Sequence, residues 1–307
     1  MHEIARHVAV IPTLISNAYL VGDASSWILV DALTPGKVRT IKQAVEARFG
    51  PNAKPRAIVL THGHFDHAGS AASLADLWGV KVYAHRLEHP YLKGESAYPR
   101  LDYTAPGFFS ALSRLFPSTT VNLGHRLAEL KMDEPPGGID GWQCIFTPGH
   151  TPGHTAFFHR NSGTIVAGDA VTTMNLDSVF DTLLQRQELC RPPIPATTDW
   201  EKARSSVQLL ASLRPVVIGA GHGNPMSNVA DDLKRLAENF PIPPQGRYVK
   251  EPARADERGV TYLPPPPFDP APKRAAVLAG AALIAGIGTL LLRRQRTNLE
   301  SQKRETT

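Results

Sequence analysis

The sequence predicts an α/β fold. Short β-rich runs alternate with stretches whose apolar residues recur at helical spacing, and between residues 57 and 84 the chain passes from strand to polar motif to helix to strand. Apolar residues make up 42% of the 307, enough to bury a sizeable core. The 24 glycines and 27 prolines stay under the ~25–30% share that marks a disordered low-complexity chain.

Residues 7–11, 18–21 and 27–30 read as strands, separated by the turn signals Ser16-Asn17 and Gly22-Asp23. Val38, Ile41, Val45 and Phe49 then fall on one helical face, and Gly50-Pro51 closes that helix. Residues 57–60 form a buried strand that runs straight into Thr61-His62-Gly63-His64. A helix over 71–78 and a strand over 80–84 follow. Between 86 and 140, Pro90, Pro99, Pro106, Pro117, Pro135 and Pro136 break any long element. This region reads as a loop-rich insertion with short helices, 108–116 among them. A strand over 143–146 leads into Pro148-Gly149-His150. Residues 155–159 and 164–167 read as a hairpin ending at Gly168-Asp169. A second irregular stretch, 173–198, holds Pro192, Pro193 and Pro195. A helix over 200–213, a strand over 216–218, the loop Gly221-His222-Gly223 and a last helix over 229–240 complete the body. No internal repeat of solenoid period is present.

Beyond the body, which spans 1–245, the composition shifts. Residues 246–274 read as a stiff proline-rich linker, with Pro264 to Pro267 at its centre. Residues 275–292 are an uncharged run of 18 residues, which as a helix spans about 27 Å, enough for a bilayer core. Residues 293–307 form a basic polar tail. The formal net charge of +5 comes from scattered basic residues and defines no nucleic-acid stripe. The dense run Arg293, Arg294, Arg296, Lys303 and Arg304 sits beside the apolar segment and suits a membrane surface. The N-terminus carries no secretory signal. The chain is therefore expected to be anchored in a membrane through 275–292, with its catalytic domain cytoplasmic. Two cysteines, Cys144 and Cys190, with no CxxC exclude a cysteine zinc finger and a disulfide framework.

The chemistry is concentrated in His62-Gly63-His64-Phe65-Asp66-His67, where four side chains able to ligate a metal fall within six residues at the mouth of a strand. A strand end followed by a turn can aim all four inward, which a helix could not. Imidazole and carboxylate suit zinc, iron or manganese. Three further pieces follow β-rich runs: Thr147-Pro148-Gly149-His150, Gly168-Asp169 and Gly221-His222-Gly223. Alone, each reads as an ordinary turn or loop. Their order and shared context single them out.

These residues resemble the metallo-β-lactamase superfamily, over roughly residues 5–240. The match runs through His62, His64, Asp66, His67, His150, Asp169 and His222, in order. The run Thr-Pro-Gly-His-Thr-Pro-Gly-His at 147–154 resembles the branch related to glyoxalase II. The resemblance implies a four-layer αββα sandwich, to which the apolar run 275–292 would append a single hydrophobic helix at the C-terminus. It implies two divalent cations, zinc first, with iron or manganese as alternatives. His62, His64 and His150 would hold one, Asp66, His67 and His222 the other, and Asp169 would bridge them. The implied activity is hydrolysis of a small ester, thioester or lactone by a metal-bridging hydroxide, with Asp66 as the catalytic residue that orients it. His150 is taken as the ligand, and His154 as a structural group. Many relatives carry Asp-x-Gly where this chain has Asp31-Ala32-Leu33. The expected partner is a small-molecule substrate rather than nucleic acid. Its determinants should lie in 86–140 and 173–198, with Tyr98, Tyr103, Phe108 and Phe109 as candidates for an apolar wall. Competing readings are a mononuclear iron sulfur dioxygenase of the same fold acting on a persulfide, a nuclease of the superfamily, and a non-catalytic membrane-tethered binding module.

Overall fold

The structure, a computed structural model, describes residues 1–118 and 120–265. Two sheets carry it. The first has seven strands in chain order: β1 (His2–Ala5), β2 (Val8–Pro12), β3 (Asn17–Asp23), β4 (Ser26–Val30), β5 (Ile58–Val59), β6 (Val82–Ala84) and β7 (Leu127–Glu129). β1 to β4 run antiparallel; β4 to β7 run parallel. Parallel neighbours need crossovers. Helix α1 (Val38–Phe49) lies between β4 and β5, and the short α2 (Phe65–Ala68) with α3 (Ala71–Trp78) lies between β5 and β6. The connection from β6 to β7 holds α4 (His89–Leu92) and α5 (Phe108–Leu112).

The second sheet has five strands. β8 (Trp142–Phe146), β9 (Thr155–His159) and β10 (Thr164–Gly168) form an antiparallel meander. A two-stranded ribbon, β11 (Thr172–Met174) and β12 (Gln187–Cys190), with α6 (Val179–Leu184) between its strands, then leaves the sheet. α7 (Trp200–Ser212) returns the chain to β13 (Val217–Ala220), parallel to β10. β14 (Met226–Ser227) closes the edge, and α8 (Ala230–Glu238) follows.

Alternation along the strands explains the layering, because successive side chains point to opposite faces. Ala9, Ile11, Leu20, Leu29 and Ile58 pack on one side of the first sheet with Ile41 and Val45 of α1 and Leu74 and Trp78 of α3. Val8, Val10, Tyr19, Val21, Ile28 and Val30 point the other way and meet Trp142, Phe157 and Val166 of the second sheet. Ala156, Phe158 and Ile165 face outward again, onto Val207 and Leu210 of α7 and Leu233 of α8. Helix, sheet, sheet, helix is the four-layer αββα sandwich. Tyr19 ties the inner layers together by donating its hydroxyl to the Ala220 carbonyl at 2.7 Å.

The helices over 38–49 and 71–78 and the hairpin of β9 and β10 match the sequence expectation. The region 86–140 differs in part. Its residues 127–129 supply the seventh strand, which three residues and no alternation over a longer run could not announce. The expected linker also differs. After α8 the chain forms α9 (Arg247–Lys250) and a hairpin of β15 (Arg254–Asp256) and β16 (Gly259–Tyr262), so the packed body continues through this hairpin. Tyr248 anchors this part: it is buried, and its hydroxyl donates to the Arg100 carbonyl at 2.7 Å. A buried aromatic with a satisfied hydroxyl outweighs the local proline content.

The expected membrane anchoring is corrected. Among the described residues no helix is long and apolar enough to cross a membrane. The segment 275–292 on which the membrane-anchored, cytoplasmic placement was based, and the tail 293–307, lie outside the described residues.

Phe157 sits fully buried between the sheets, with Cys144 and Val166 as its strand neighbours. Phe157→Ala should destabilise the fold by about 3–5 kcal/mol, read from the denaturant midpoint at unchanged slope.

Candidate metal centre

The candidate ligands follow the C-terminal ends of four strands: His62 to His67 after β5, His150 after β8, Asp169 after β10 and His222 after β13. Both sheets therefore contribute. Backbone bonds join the loops at this end. Thr155 N–H donates to the Thr61 carbonyl at 2.9 Å, and Gly221 N–H to the Gly168 carbonyl at 2.8 Å. Thr173 N–H reaches the His222 carbonyl at 3.0 Å.

The structure brings all seven predicted residues together. His62 Nε2 and His150 Nε2 lie 2.9 and 3.0 Å from His64 Nδ1, so three ring nitrogens converge. A second group is made by Asp66 Oδ2 with His67 Nε2 at 3.7 Å and His222 Nε2 at 3.6 Å. Asp169 stands between the two groups. One of its oxygens, Oδ2, is 3.4 Å from His150 Nε2 and 3.0 Å from His222 Nε2, and Oδ1 is 3.5 Å from His67 Nε2. Three overlapping clusters, His62–His64–His150, His62–His67–Asp169 and Asp66–His67–His222, each hold their donor atoms within 4.8 Å of one another.

The rings are fixed from behind, and that decides which nitrogen faces inward. Thr61 Oγ1 donates its single proton to Asp31 Oδ2 at 2.8 Å, so it accepts from His62 Nδ1 at 3.0 Å. Thr197 Oγ1 donates to the Pro193 carbonyl and faces His150 Nδ1 at 3.4 Å in the same way. His67 Nδ1 donates to Asp31 Oδ2 at 2.9 Å, and His222 Nδ1 to the Ile15 carbonyl at 2.6 Å. Each of these four rings leaves Nε2 for the centre. Two buried atoms at that centre, His67 Nε2 and Asp169 Oδ1, have no hydrogen-bond partner. Unpaired buried donors and acceptors are costly. A divalent cation held by these nitrogens and oxygens would satisfy both, so the residues present fit a metal.

The electrostatics divide in the same way. Burial holds the pKa of His62 and His150 well below the usual imidazole range and that of His64 at about 4, which keeps their lone pairs available. Burial also opposes charge on His67 and His222, yet there Asp169 and Asp66 outweigh it and raise both pKa values. Desolvation likewise works against Asp169, and His222 and His67 reverse it and hold its carboxyl well below the usual range. The second group is thus an anionic environment that favours positive charge.

Other residues position the ligands. His154 has both nitrogens engaged: Nε2 accepts from Asp169 N–H at 2.9 Å, and Nδ1 meets Thr147 Oγ1 at 2.8 Å. It sets the Asp169 backbone and has no donor atom left for a cation, in keeping with the structural role expected of it. Asp31 also accepts from Thr61 N–H at 2.8 Å, and so steers His62 and His67 together. Its neighbour Leu33 adopts φ +56° while fully buried against the α1 side of the core. That left-handed backbone favours glycine, and leucine accepts a strain of roughly 1–2 kcal/mol there while filling the core. In the sequence Ser16-Asn17 reads as a plain turn. In the structure Ser16 Oγ donates to the Asp66 carbonyl at 2.6 Å, and Asn17 Nδ2 to the Gly223 carbonyl at 2.6 Å, so the turn locks two ligand loops. A Cβ on Gly221 would lie 2.0 Å from Asp169 Oδ1 and 2.6 Å from His67 Cε1, so any other residue at that position would displace these ligands.

The expected apolar wall divides. Phe65 stacks on Phe116 with ring centres 6.0 Å apart, and Phe109 packs on Phe116 at 5.3 Å, so an aromatic row runs from the ligand loop into the insertion. Tyr98 instead turns inward and is buried. Tyr103 pairs with the Arg114 guanidinium at 4.1 Å.

An αββα sandwich with a buried histidine and aspartate cluster at its strand ends defines a class of proteins built to hold metal ions there. The chain belongs to the metallo-beta-lactamase superfamily, whose family model matches residues 11–222. It is similar to the probable metallo-hydrolase YflN of Bacillus subtilis, 38% identical over 245 residues that cover 78% of this chain and 92% of the relative. It is also similar to the hydroxyacylglutathione hydrolase GloC of Haemophilus influenzae, 27% identical over 172 residues, 55% of this chain and 69% of that one. Among solved structures, TTHA1623 in a di-iron-bound form superposes with a TM-score of 0.51 at 25% identity, covering 73% of this chain and 96% of that one.

Asp31→Asn replaces one carboxylate oxygen by an NH2 group that cannot accept, so at least one of the bonds from Thr61 and His67 is lost. Cation binding should weaken about 10- to 100-fold, measured by equilibrium dialysis with metal analysis, while the circular dichroism spectrum stays unchanged.

Proposed function

We propose that the chain is a hydrolase that works with two divalent cations and cleaves a small ester, thioester or lactone. The observation that carries this reading is the shared Asp169 carboxylate, which faces His150 on one side and His67 and His222 on the other. A single-cation centre would not need the complete second group of Asp66, His67 and His222. Zinc is the first candidate, with iron or manganese as alternatives; the di-iron form of TTHA1623 keeps iron in contention.

His62, His64 and His150 would hold one cation, and Asp66, His67 and His222 the other, with Asp169 common to both. Cations bound there supply Lewis acidity that acidifies water and polarises an acyl carbonyl. The protein's own part is orientation and proton handling. Asp66 keeps 11% of its side chain exposed against 3% for Asp169, so Asp66 is the carboxylate that meets water and substrate. It faces His67 and His222 through Oδ2 and can accept a proton from the attacking water. Asp169, held by the His154 bond to its backbone, stays buried and fixes the spacing of the two groups. The aromatic row of Phe65, Phe116 and Phe109 offers an apolar surface for the acyl part. The hydroxyacylglutathione hydrolase among the relatives supports an acyl substrate, and a small molecule rather than nucleic acid is the expected partner.

The test is metal content together with a panel of acyl-thioesters, lactones, phosphodiesters and β-lactams. Two cations per chain and turnover of an acyl compound are expected, with His62→Ala and Asp66→Asn each losing at least about 100-fold in kcat/KM. One iron per chain with oxygen uptake on a persulfide would overturn the reading in favour of a dioxygenase.

A further inference from the structure

A second buried carboxylate lies beside the centre and takes no part in the ligand set. Glu88 ends a single turn of 3-10 helix, Arg86–Glu88, after β6, and its side chain is fully buried. Four donors converge on its two oxygens. Oε1 accepts from Thr151 Oγ1 at 2.8 Å and from Gly153 N–H at 2.7 Å. Oε2 accepts from Gly63 N–H at 3.0 Å and from the Tyr98 hydroxyl. Tyr98 is held in turn by stacking on Tyr91, with ring centres 4.0 Å apart, and its ring meets the edge of His64 at 4.6 Å.

These donors come from two ligand loops. Gly63 lies between His62 and His64, and Thr151 directly follows His150. One carboxylate therefore spans the gap between the two segments that supply the triad. The backbone has adapted to it on both sides. A Cβ on Gly63 would lie 2.5 Å from the Tyr98 hydroxyl, and one on Gly153 2.8 Å from Glu88 Cγ. No group in the second cluster, Asp66, His67 or His222, is bonded to Glu88.

We propose that Glu88 is a positioning residue that sets the spacing between the His62–His64 loop and the His150 loop, and so tunes the triad site selectively. The proposal rests on the metal reading above and adds a division to it: Glu88 braces the loops of the triad, while Ser16 and Asn17 brace the loops of Asp66 and His222.

Glu88→Gln keeps the side chain's volume but leaves one acceptor oxygen for four donors, and turns an NH2 group toward two of them. Cobalt titration of the full chain, followed by its visible absorption, separates the outcomes. In Glu88→Gln the triad step should weaken about 10- to 100-fold with a changed spectrum, while the step assigned to Asp66, His67 and His222 moves little. To assign the steps, the same titration is run on His222→Ala, in which only the triad group is intact. If Glu88→Gln fails to fold by circular dichroism, Tyr98→Phe and Thr151→Val carry the test. Each removes one donor and should weaken the triad step about 3- to 10-fold. Wild-type affinities and spectrum in Glu88→Gln, or in both milder variants, would overturn the assignment, as would equal weakening of both steps. A wild-type chain that binds no cobalt overturns the proposed function itself.

Discussion

A carboxylate buried to 2% exposure is the constraint around which this molecule is arranged. Asp169 sits where two groups of imidazoles meet, and a buried anion is stable only if fixed positive charge or strong donors surround it. His222 and His67, whose charged forms the site favours, answer that requirement, and the His154 bond to its backbone leaves the carboxylate one place to stand. The strand ends that deliver these residues belong to two different sheets. The sandwich between them, built on the alternation of Val8, Val10, Tyr19 and Val21 against Trp142, Phe157 and Val166, is what fixes their separation.

The polar network behind the ligands is as developed as the ligand set. Thr61 holds His62, Asp31 holds Thr61 and His67, Thr197 faces His150, His154 holds the Asp169 backbone and the Ile15 carbonyl holds His222. Such preorganisation keeps the reacting groups from rearranging during turnover. It also explains glycines in the ligand loops that no catalytic role would require, because side chains such as Glu88 and Tyr98 press directly on the backbone.

The ligand positions were legible in the sequence because they are dense, ordered and placed after apolar runs. His62-x-His64-x-Asp66-His67 needs no distant context to be noticed. The helices over 38–49 and 71–78 were legible through their periodicity and the glycines that end them. What escaped reading depends on tertiary pairing. β7 is three residues long and exists through its contact with β6. The hairpin at 254–262 lies in a stretch whose prolines read as linker, and Tyr248 overrides that signal by burial. Glu88 resembled any surface glutamate beside an arginine, since nothing local marks it as the meeting point of Gly63, Thr151 and Gly153. Ser16 and Asn17 read as turn residues, which they are, but their side chains point to loops some 50 and 200 residues away.

The donor residues are split between the two halves of the sandwich: His62, His64, Asp66 and His67 come from one, His150, Asp169 and His222 from the other. Any cation seated there is a rivet as well as a reagent. Its binding free energy adds to the adhesion between the halves, so the catalytic inventory and the mechanical cohesion of the body rise and fall together.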